Sequence, residues 1–540
     1  MYSRTRSLRF RVRSWLDKED FHRLLEVSRY LGRIEGYSVF ELDFTKIKAL
    51  GFTEEDIIAV LHDIPGIVID DVKVIEQYLK DRKKVIVYYG EDGWIRIRSK
   101  VYLKDILSEL KVYFPYDREK KEYKAPGHFY PSIVRKLREK NLHVVDKIGL
   151  LDDGSLPRPI SFKGTLRPYQ EKALEAWKKS GYRGIIALPT GAGKTIIAIA
   201  GLAELQKRAL IVVYTKEHVK QWIDSIKKFS DAGALVGAYY GDEKRLAPIT
   251  VTTYQTAYRK LRLFATLFPL VIFDEAHHLP AEKFKAISVG LPAPYRLGLS
   301  ATVEREDGKH VELFPLLGGI VYRTTPGELT RLGYLAPYVV RRIKVDLLPA
   351  EKKEYEMYKR QFRLLSRGLS FNELLARAKK GDPEAIQAIR IHAKMRDIVQ
   401  YSEAKLRKAE EIIRQELKKG SKIIVFTQYK KQAEEIARRV DGLLLHGGLD
   451  KRKRTRILET FKQLDRGVMV VTTVGDEGLD IPDANVGVFV SGTGSPRQFI
   501  QRLGRLLRPK DGKQAVLYEI IVAGTSEEYQ SRKRRRLGGL

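Results

Sequence analysis

The run Leu188-Pro189-Thr190-Gly191-Ala192-Gly193-Lys194-Thr195 follows an apolar stretch at 185–188 and leads into a helix-favouring stretch at 196–205. A strand that turns through two closely spaced glycines into a helix aims several backbone N–H groups and a helix N-terminus at one point. That point suits an anion. Gly191 and Gly193 let the backbone close on phosphate oxygens, Lys194 can neutralise the outer phosphates of a triphosphate, and the Thr195 hydroxyl can ligate magnesium. Leu188 stands where the strict form of this loop has glycine.

Such a loop needs a parallel sheet behind it. Apolar strands at 185–188, 209–213 and 270–273 alternate with amphipathic helices, and the pattern returns with strands at 422–426, 468–471 and 486–490. Alternation of this kind builds a parallel sheet covered by helices, so the expected class is α/β with two lobes. Between the lobes, 351–397 is charged, helix-favouring and broken by a Gly381-Asp382-Pro383 turn, which reads as an inserted helical hairpin. Upstream, 85–94 reads as a strand and hairpin turn and 131–141 as a basic helix, together a small α+β domain, while 20–31 is patterned as a helix. The expected divisions are an N-terminal accessory domain at 1–82, a second accessory domain at 83–160, lobe 1 at 161–345, the helical insertion at 346–400 and lobe 2 at 401–540. A Pro- and Gly-bearing linker covers 151–164.

Asp274 follows the strand at 270–273, so it emerges at the carboxyl edge of the sheet, where α/β proteins hold ligands. There it can hold a metal ion, and Glu275 beside it can act as the general base on a water molecule. His277 and His278 could form a zinc pair, but they lack the HExxH spacing, and coupling or packing roles suit them better. In Thr165-Leu166-Arg167-Pro168-Tyr169-Gln170, Gln170 can read an adenine edge with Arg167 in support; the same segment also suits a helix N-terminus with proline in its first turn. Gln501-Arg502-Leu503-Gly504-Arg505-Leu506-Leu507-Arg508 sets three arginines at i,i+3 spacing, a helical face that can meet a phosphate held by the other lobe. Arg505 and Arg508 are the candidate arginine fingers and Arg502 a nucleotide contact. The segment 474–482, which contains Asp480, can couple nucleotide to a second ligand.

The second ligand is suggested by charge. Lys and Arg number 100 against 68 Asp and Glu, a net +32 that attracts polyanions and makes nucleic acid the leading partner. Tyr214-Thr215, Thr252-Thr253 and Thr472-Thr473 offer hydroxyls for a phosphate backbone. Near the aromatics Tyr113, Phe114, Tyr123 and Phe129 lie Lys120, Lys121, Lys124, Arg135, Lys136 and Arg138. That cluster could stack on unpaired bases or dock a protein partner. The basic segment 532–536 fits a phosphate contact or a solvated tail equally well. The absence of cysteine excludes disulfides, zinc ribbons and iron–sulfur clusters. No apolar run reaches the about 18 residues a membrane span needs, so a cytoplasmic protein is expected. Three asparagines, four methionines and 31% charged residues suggest a hyperthermophilic source.

Taken together, the glycine loop, Asp274-Glu275-Ala276-His277-His278, Ser300-Ala301-Thr302 and the 501–508 arginines resemble a superfamily 2 helicase. Arg305-Glu306-Asp307, just after Ser300-Ala301-Thr302, resembles the RED motif of the XPB family in its archaeal form. The resemblance runs from about residue 85 to the C-terminus; residues 1–80 have no counterpart in it. It implies RecA-like lobes, a damage-recognition-like domain at 83–160 and a thumb-like insertion at 346–400. It also implies ATP and Mg2+ as cofactors, 3′-to-5′ polarity, and opening of duplex, forked or damaged DNA in nucleotide excision repair, with transcription as a second setting and Arg305, Glu306 and Asp307 serving strand opening. A nuclease partner and a monomeric or heterodimeric state follow from the same resemblance. An RNA-dependent helicase of the same superfamily, or a DNA-binding scaffold that positions a nuclease, are the alternative readings.

Overall fold

The computed structural model describes residues 8–13, 15–301, 309–335, 337–472, 484–490 and 515–538. The chain divides into two compact units, Met1–Asp153 with Gly290–Pro292, and Gly154–Val289 with Ala293–Leu540.

The first unit contains two sheets, each with its own core. In the three-stranded antiparallel sheet Arg9–Val12, Tyr37–Leu42 and Ser28–Ile34 lie in that order, with Phe10 and Phe40 stacked at 5.4 Å beneath it. The helix expected over 20–31 ends at Val27, and the chain continues as the strand Ser28–Ile34. Glu35 and Gly36 explain the difference: both have positive φ, 50° and 85°, the two-residue hairpin turn that matches strand twist. It pairs Ile34 with Tyr37. The second sheet has five strands in the order Tyr116–Asp117, Glu122–Ala125, Ile95–Ser99, Lys84–Tyr89 and His143–Asp146. The hairpin read at 85–94 is present, and the basic helix is Tyr130–Glu139, whose Tyr130, Ile133, Val134 and Leu137 pack on Val85, Val87 and Ile97.

In the second unit an eight-stranded sheet has the order Glu243–Lys244, Val236–Tyr240, Ile249–Thr253, Ala209–Val213, Leu270–Phe273, Tyr295–Ser300, Arg183–Ala187 and Ile320–Arg323. All its pairings are parallel except that of the short Glu243–Lys244 strand. Every residue of Ala209–Val213 and Leu270–Phe273 is buried, as strands covered on both faces must be. A six-stranded, fully parallel sheet follows: Tyr338–Val345, Ala515–Val522, Val486–Phe489, Lys422–Thr427, Gly467–Thr472 and Leu443–Leu445.

Tyr338–Val345, counted with lobe 1 on sequence grounds, is an edge strand of this second sheet, in register with Ala515–Val522. The insertion is three helices rather than a hairpin, Pro349–Ser366, Phe371–Lys379 and Pro383–Gln400. Ser370 and Asp382 cap the second and third by accepting backbone N–H bonds. The supposed linker is partly core, since Leu156 and Ile160 are buried with the first sheet's apolar cluster. Among the described residues no helix is long and apolar enough to cross a membrane.

Candidate active site

Parallel strands bring their carboxyl ends to one edge. On the first sheet Arg183–Ala187 neighbours Tyr295–Ser300, which neighbours Leu270–Phe273. The loop that starts at Leu188, the end of the strand at Ser300, and the Asp274-Glu275 pair therefore share that edge, although 78 residues lie between Thr195 and Asp274. The Leu188 N–H donates to the Ser300 carbonyl at 2.9 Å and fixes the start of the loop.

The loop turns at Gly191 and Gly193, with φ of 85° and 78°, angles that other residues rarely adopt. At Gly193 a side chain would also collide: a Cβ there would sit 2.4 Å from Gln170 Nε2. The helix Lys194–Leu205 starts immediately afterwards. Lys194 Nζ donates to the Leu188 and Pro189 carbonyls at 3.0 and 3.4 Å, which keeps the ammonium at the loop's mouth. Thr190 Oγ1 is buried and has no hydrogen-bond partner among the described residues.

Arg167, Tyr169 and Gln170 come to the loop's underside. Tyr169 Oη and Gln170 Nε2 both donate to the Ala192 carbonyl, at 2.8 and 3.0 Å. Gln170 Oε1 accepts from the Arg167 N–H at 2.8 Å, so the amide also caps its own helix. The Arg167 guanidinium donates to the Tyr334 carbonyl at 3.2 Å and lies 5.6 Å from that ring's centre. Gln170 is thus both cap and loop support, and its second N–H has no protein acceptor among the described residues.

Glu275 occupies the left-handed region at φ 50°, ψ 50°, a strained setting typical of functional positions. Its N–H donates to Asp274 Oδ1 at 3.0 Å, and Trp222 Nε1 donates to Asp274 Oδ2 at 2.8 Å. Tyr254 Oη donates to the Asp274 carbonyl at 3.0 Å. Burial raises the Asp274 pKa above the ordinary range, and the neighbouring Glu275 charge raises it further. Burial pushes Glu275 the same way, but its hydrogen bond with His277 and its electrostatic interactions with His277, Lys194 and His278 outweigh it, so its pKa is lowered. The arrangement favours the ionised carboxylate.

His277 Nδ1 lies 3.2 Å from Glu275 Oε2 and 3.1 Å from Ser300 Oγ, linking the base to the adjacent strand. The His278 ring stacks on Tyr214 at 3.9 Å and 6°. His277 is thus bonded within the site and His278 packed on Tyr214, and the described residues hold no cluster of three or more His, Asp or Glu suited to a metal.

Several expectations meet a different outcome. Thr252 is fully buried and donates to the Tyr239 carbonyl, and Thr472 is buried. Thr215 and Thr253 cap helices. Lys124, Lys136 and Arg138 are ion-paired with Asp117, Glu109 and Glu139, and Asp152. Phe114 is buried against Phe129. Thr302, Thr473, Arg305, Glu306, Asp307, the 474–482 segment with Asp480, and Arg502, Arg505 and Arg508 lie outside the described residues. Sequence reasoning missed Trp222 and Tyr254; the one available signal was an indole on the apolar face of the helix Lys216–Phe229.

Comparison with known proteins agrees with this geometry. Residues 163–305 match the family described as type III restriction enzyme, res subunit, and residues 386–537 the ERCC3/RAD25/XPB C-terminal helicase family. The DNA 3′-5′ translocase XPB2 of Sulfurisphaera tokodaii is 40% identical over 77% of this chain and 94% of its own length. The DNA 3′-5′ helicase XPB of Kineococcus radiotolerans is 31% identical over 69% of this chain and 62% of its own length. The general transcription and DNA repair factor IIH helicase/translocase subunit XPB of Danio rerio is 29% identical over 69% of this chain and 46% of its own length.

Proposed function

The chain belongs to the XPB family of superfamily 2 helicases, and from that premise we propose that it is an ATP-dependent DNA 3′-5′ translocase and helicase powered at the Lys194–Asp274–Glu275 edge. The observation that carries the reading is Glu275, bonded to His277 and favoured as the charged form by His277 and Lys194, on the same sheet edge as the phosphate loop. A scaffold with incidental turnover has no use for such a carboxylate.

ATP is the substrate. The N–H groups of Gly191–Thr195 cradle its phosphates, Lys194 exchanges the Leu188 and Pro189 carbonyls for phosphate oxygens, and the buried Thr190 hydroxyl gains an acceptor it otherwise lacks. Gln170 offers its remaining N–H to the adenine and, through Ala192, ties base occupancy to the loop. Mg2+ fits this donor set: Thr195 and Asp274 are two protein oxygens, and magnesium commonly takes one or two carboxylate or hydroxyl ligands and fills the rest with phosphate and water. When bound, it would neutralise charge on the phosphates. Glu275 orients the attacking water and accepts its proton. Arg505 and Arg508 are the proposed transition-state arginines, Arg502 and Asp480 nucleotide contacts, and Arg305, Glu306 and Asp307 the residues of strand opening. The hydrogen bonds from Glu275 through His277 to Ser300, and the His278–Tyr214 stack, are contiguous routes by which hydrolysis can be felt at neighbouring loops.

Action in nucleotide excision repair with a nuclease partner, and origin in a hyperthermophilic archaeon, complete the proposal. The ion-pair network of Arg439 with Glu403, Glu435 and Glu410 is in keeping with the last. The test is ATP turnover with duplex DNA, forked DNA or RNA added. DNA stimulates wild-type turnover and RNA does not, while Lys194→Ala abolishes turnover and keeps DNA affinity within a few-fold. Stimulation by RNA in preference to DNA would assign the other substrate.

A further inference from the structure

The helical insertion and the second sheet meet around a pocket of about 510 Å³, none of whose lining residues belongs to the ATP edge. Four elements build it: Tyr355 stands on the helix Pro349–Ser366, Met395 and Gln400 on Pro383–Gln400, Tyr429 just after the strand Lys422–Thr427, and Glu527 on the helix Ser526–Gly538. The insertion and its lobe therefore share one cavity.

Polar clasps fix these walls. Glu351, in the first turn of Pro349–Ser366, accepts the Glu403 N–H at 2.8 Å and the Ser402 hydroxyl at 3.0 Å, so one carboxylate ties the insertion's first helix to the helix that follows its last. Lys405, fully buried, donates to Glu527 Oε1 at 2.6 Å, and the Val522 N–H donates to Glu527 Oε2 at 2.9 Å, which anchors the helix Ser526–Gly538. Gln432 Nε2 donates to the Gln400 carbonyl, while Gln432 Oε1 accepts from the Thr427 hydroxyl. Of the lining, Tyr355 and Val399 also pack into a small apolar cluster with Val522. Walls held in this way form the pocket in advance of any occupant, as ligand sites usually are.

One polar need is left unmet. Gln400 is only 7% exposed, and its Oε1 is buried with no hydrogen-bond partner among the described residues. A buried acceptor without a donor is rare enough to require a reason, and the terminal torsion of glutamine is broad, so the amide can turn to a donor that enters. The nearby charges are already engaged: both Glu527 oxygens accept hydrogen bonds, and Arg396, its side chain 54% exposed, lies 3.8 Å from Asp397. His392, its ring 5.4 Å from that of Phe362 and 4.7 Å from that of Phe371, is neutral at pH 7, because burial lowers its pKa and the Arg396 charge lowers it further. A carboxylate or phosphate placed against Gln400 Oε1 and Glu527 would meet acceptors only, and a wholly apolar group would leave Oε1 unmet. A flat ring with one donor suits both the aromatic, thioether-bearing walls and the oxygen.

We propose that this pocket is a second ligand site, for a planar aromatic group that carries one N–H or O–H donor, as an indole or a phenol does. The ring lies among Tyr355, Met395 and Tyr429, and its donor bonds Gln400 Oε1. Because the walls belong to the insertion, to the second sheet and to Ser526–Gly538, an occupant braces the insertion against its lobe, and a ligand of the folded chain alone raises its stability. A free small molecule and the aromatic side chain of a docked segment share this chemistry. What the pocket tolerates beyond the ring separates them.

The test uses full-length protein with indole, 1-methylindole and N-acetyltryptophanamide as probes, read by isothermal titration and by melting temperature. Indole is expected to bind a single saturable site and to raise the melting temperature, and 1-methylindole, which lacks the N–H, to bind at least about tenfold more weakly. Gln400→Met keeps the side chain's length and removes the acceptor, so this variant binds the two indoles alike. Met395→Trp fills the pocket and abolishes binding of both, with Val399→Phe as a second filling variant should the first not fold; ATP turnover without DNA at the wild-type rate is the folding control for each. N-acetyltryptophanamide bound as tightly as indole assigns the site to a side chain of a docked segment, and its exclusion assigns it to a free small molecule. The proposal is overturned by wild-type protein that shows no saturable indole binding or equal affinity for 1-methylindole, and equally by indole binding that survives both filling variants.

Discussion

Glu275 shows how much one residue's setting can decide. Its left-handed backbone costs about 1–3 kcal/mol, its side chain reaches His277, and its N–H is bonded to Asp274. Glu275→Gln keeps the shape and loses the base, so turnover should fall at least about a hundredfold with ATP affinity within a few-fold, as single-turnover and equilibrium-binding measurements would report. Its pKa is lowered, so the charged form persists as pH falls through the ordinary glutamate range; an acid limb near that range should not arise from this residue in the wild-type protein. The phosphate loop and the acidic pair were legible in the sequence because phosphate chemistry admits few residue types at such spacing. Trp222 and Tyr254 were not, since only folding carries an indole from one helix and a phenol from another to Asp274.

The helix Lys216–Phe229 illustrates the element scale. Its buried face, Val219, Trp222 and Ile226, is what an amphipathic helix on a parallel sheet requires, yet Trp222 also ends in a 2.8 Å hydrogen bond to Asp274. A hydrogen bond to a charged group is worth about 1.5–3 kcal/mol. Trp222→Phe, which keeps most of the packing, should therefore lower the melting temperature by a few degrees and, by leaving Asp274 less firmly held, raise the Mg2+ concentration for half-maximal ATPase about tenfold or more. An unchanged magnesium requirement would reduce Trp222 to core. Element boundaries were less legible than elements. Ser28–Ile34 was read partly as helix because its pairing depends on the Glu35-Gly36 turn, and Tyr338–Val345 was given to the wrong lobe because its partner, Ala515–Val522, lies far downstream. Non-local pairing leaves little trace in a local pattern.

At the scale of the whole molecule, two largely parallel sheets share one unit, the ATP chemistry is proposed at the carboxyl edge of the first, and a net charge of +32 suits a DNA partner. The alternation of strands and helices announced both sheets; a cleft of the first unit was only half visible, through Tyr113, Phe114, Tyr123 and Lys121, because Tyr102, Tyr116, Lys100, Lys104, Lys111 and Arg118 join its lining only once the chain is folded. The central claim is that hydrolysis at Lys194, Asp274 and Glu275 moves the protein along DNA. Displacement of a third strand from a triplex placed on duplex DNA, with entry offered from either end of the tracked strand, tests it most directly. The account predicts displacement that requires ATP, proceeds 3′ to 5′ and disappears in Lys194→Ala. Displacement without ATP, or by Lys194→Ala at the wild-type rate, would contradict it.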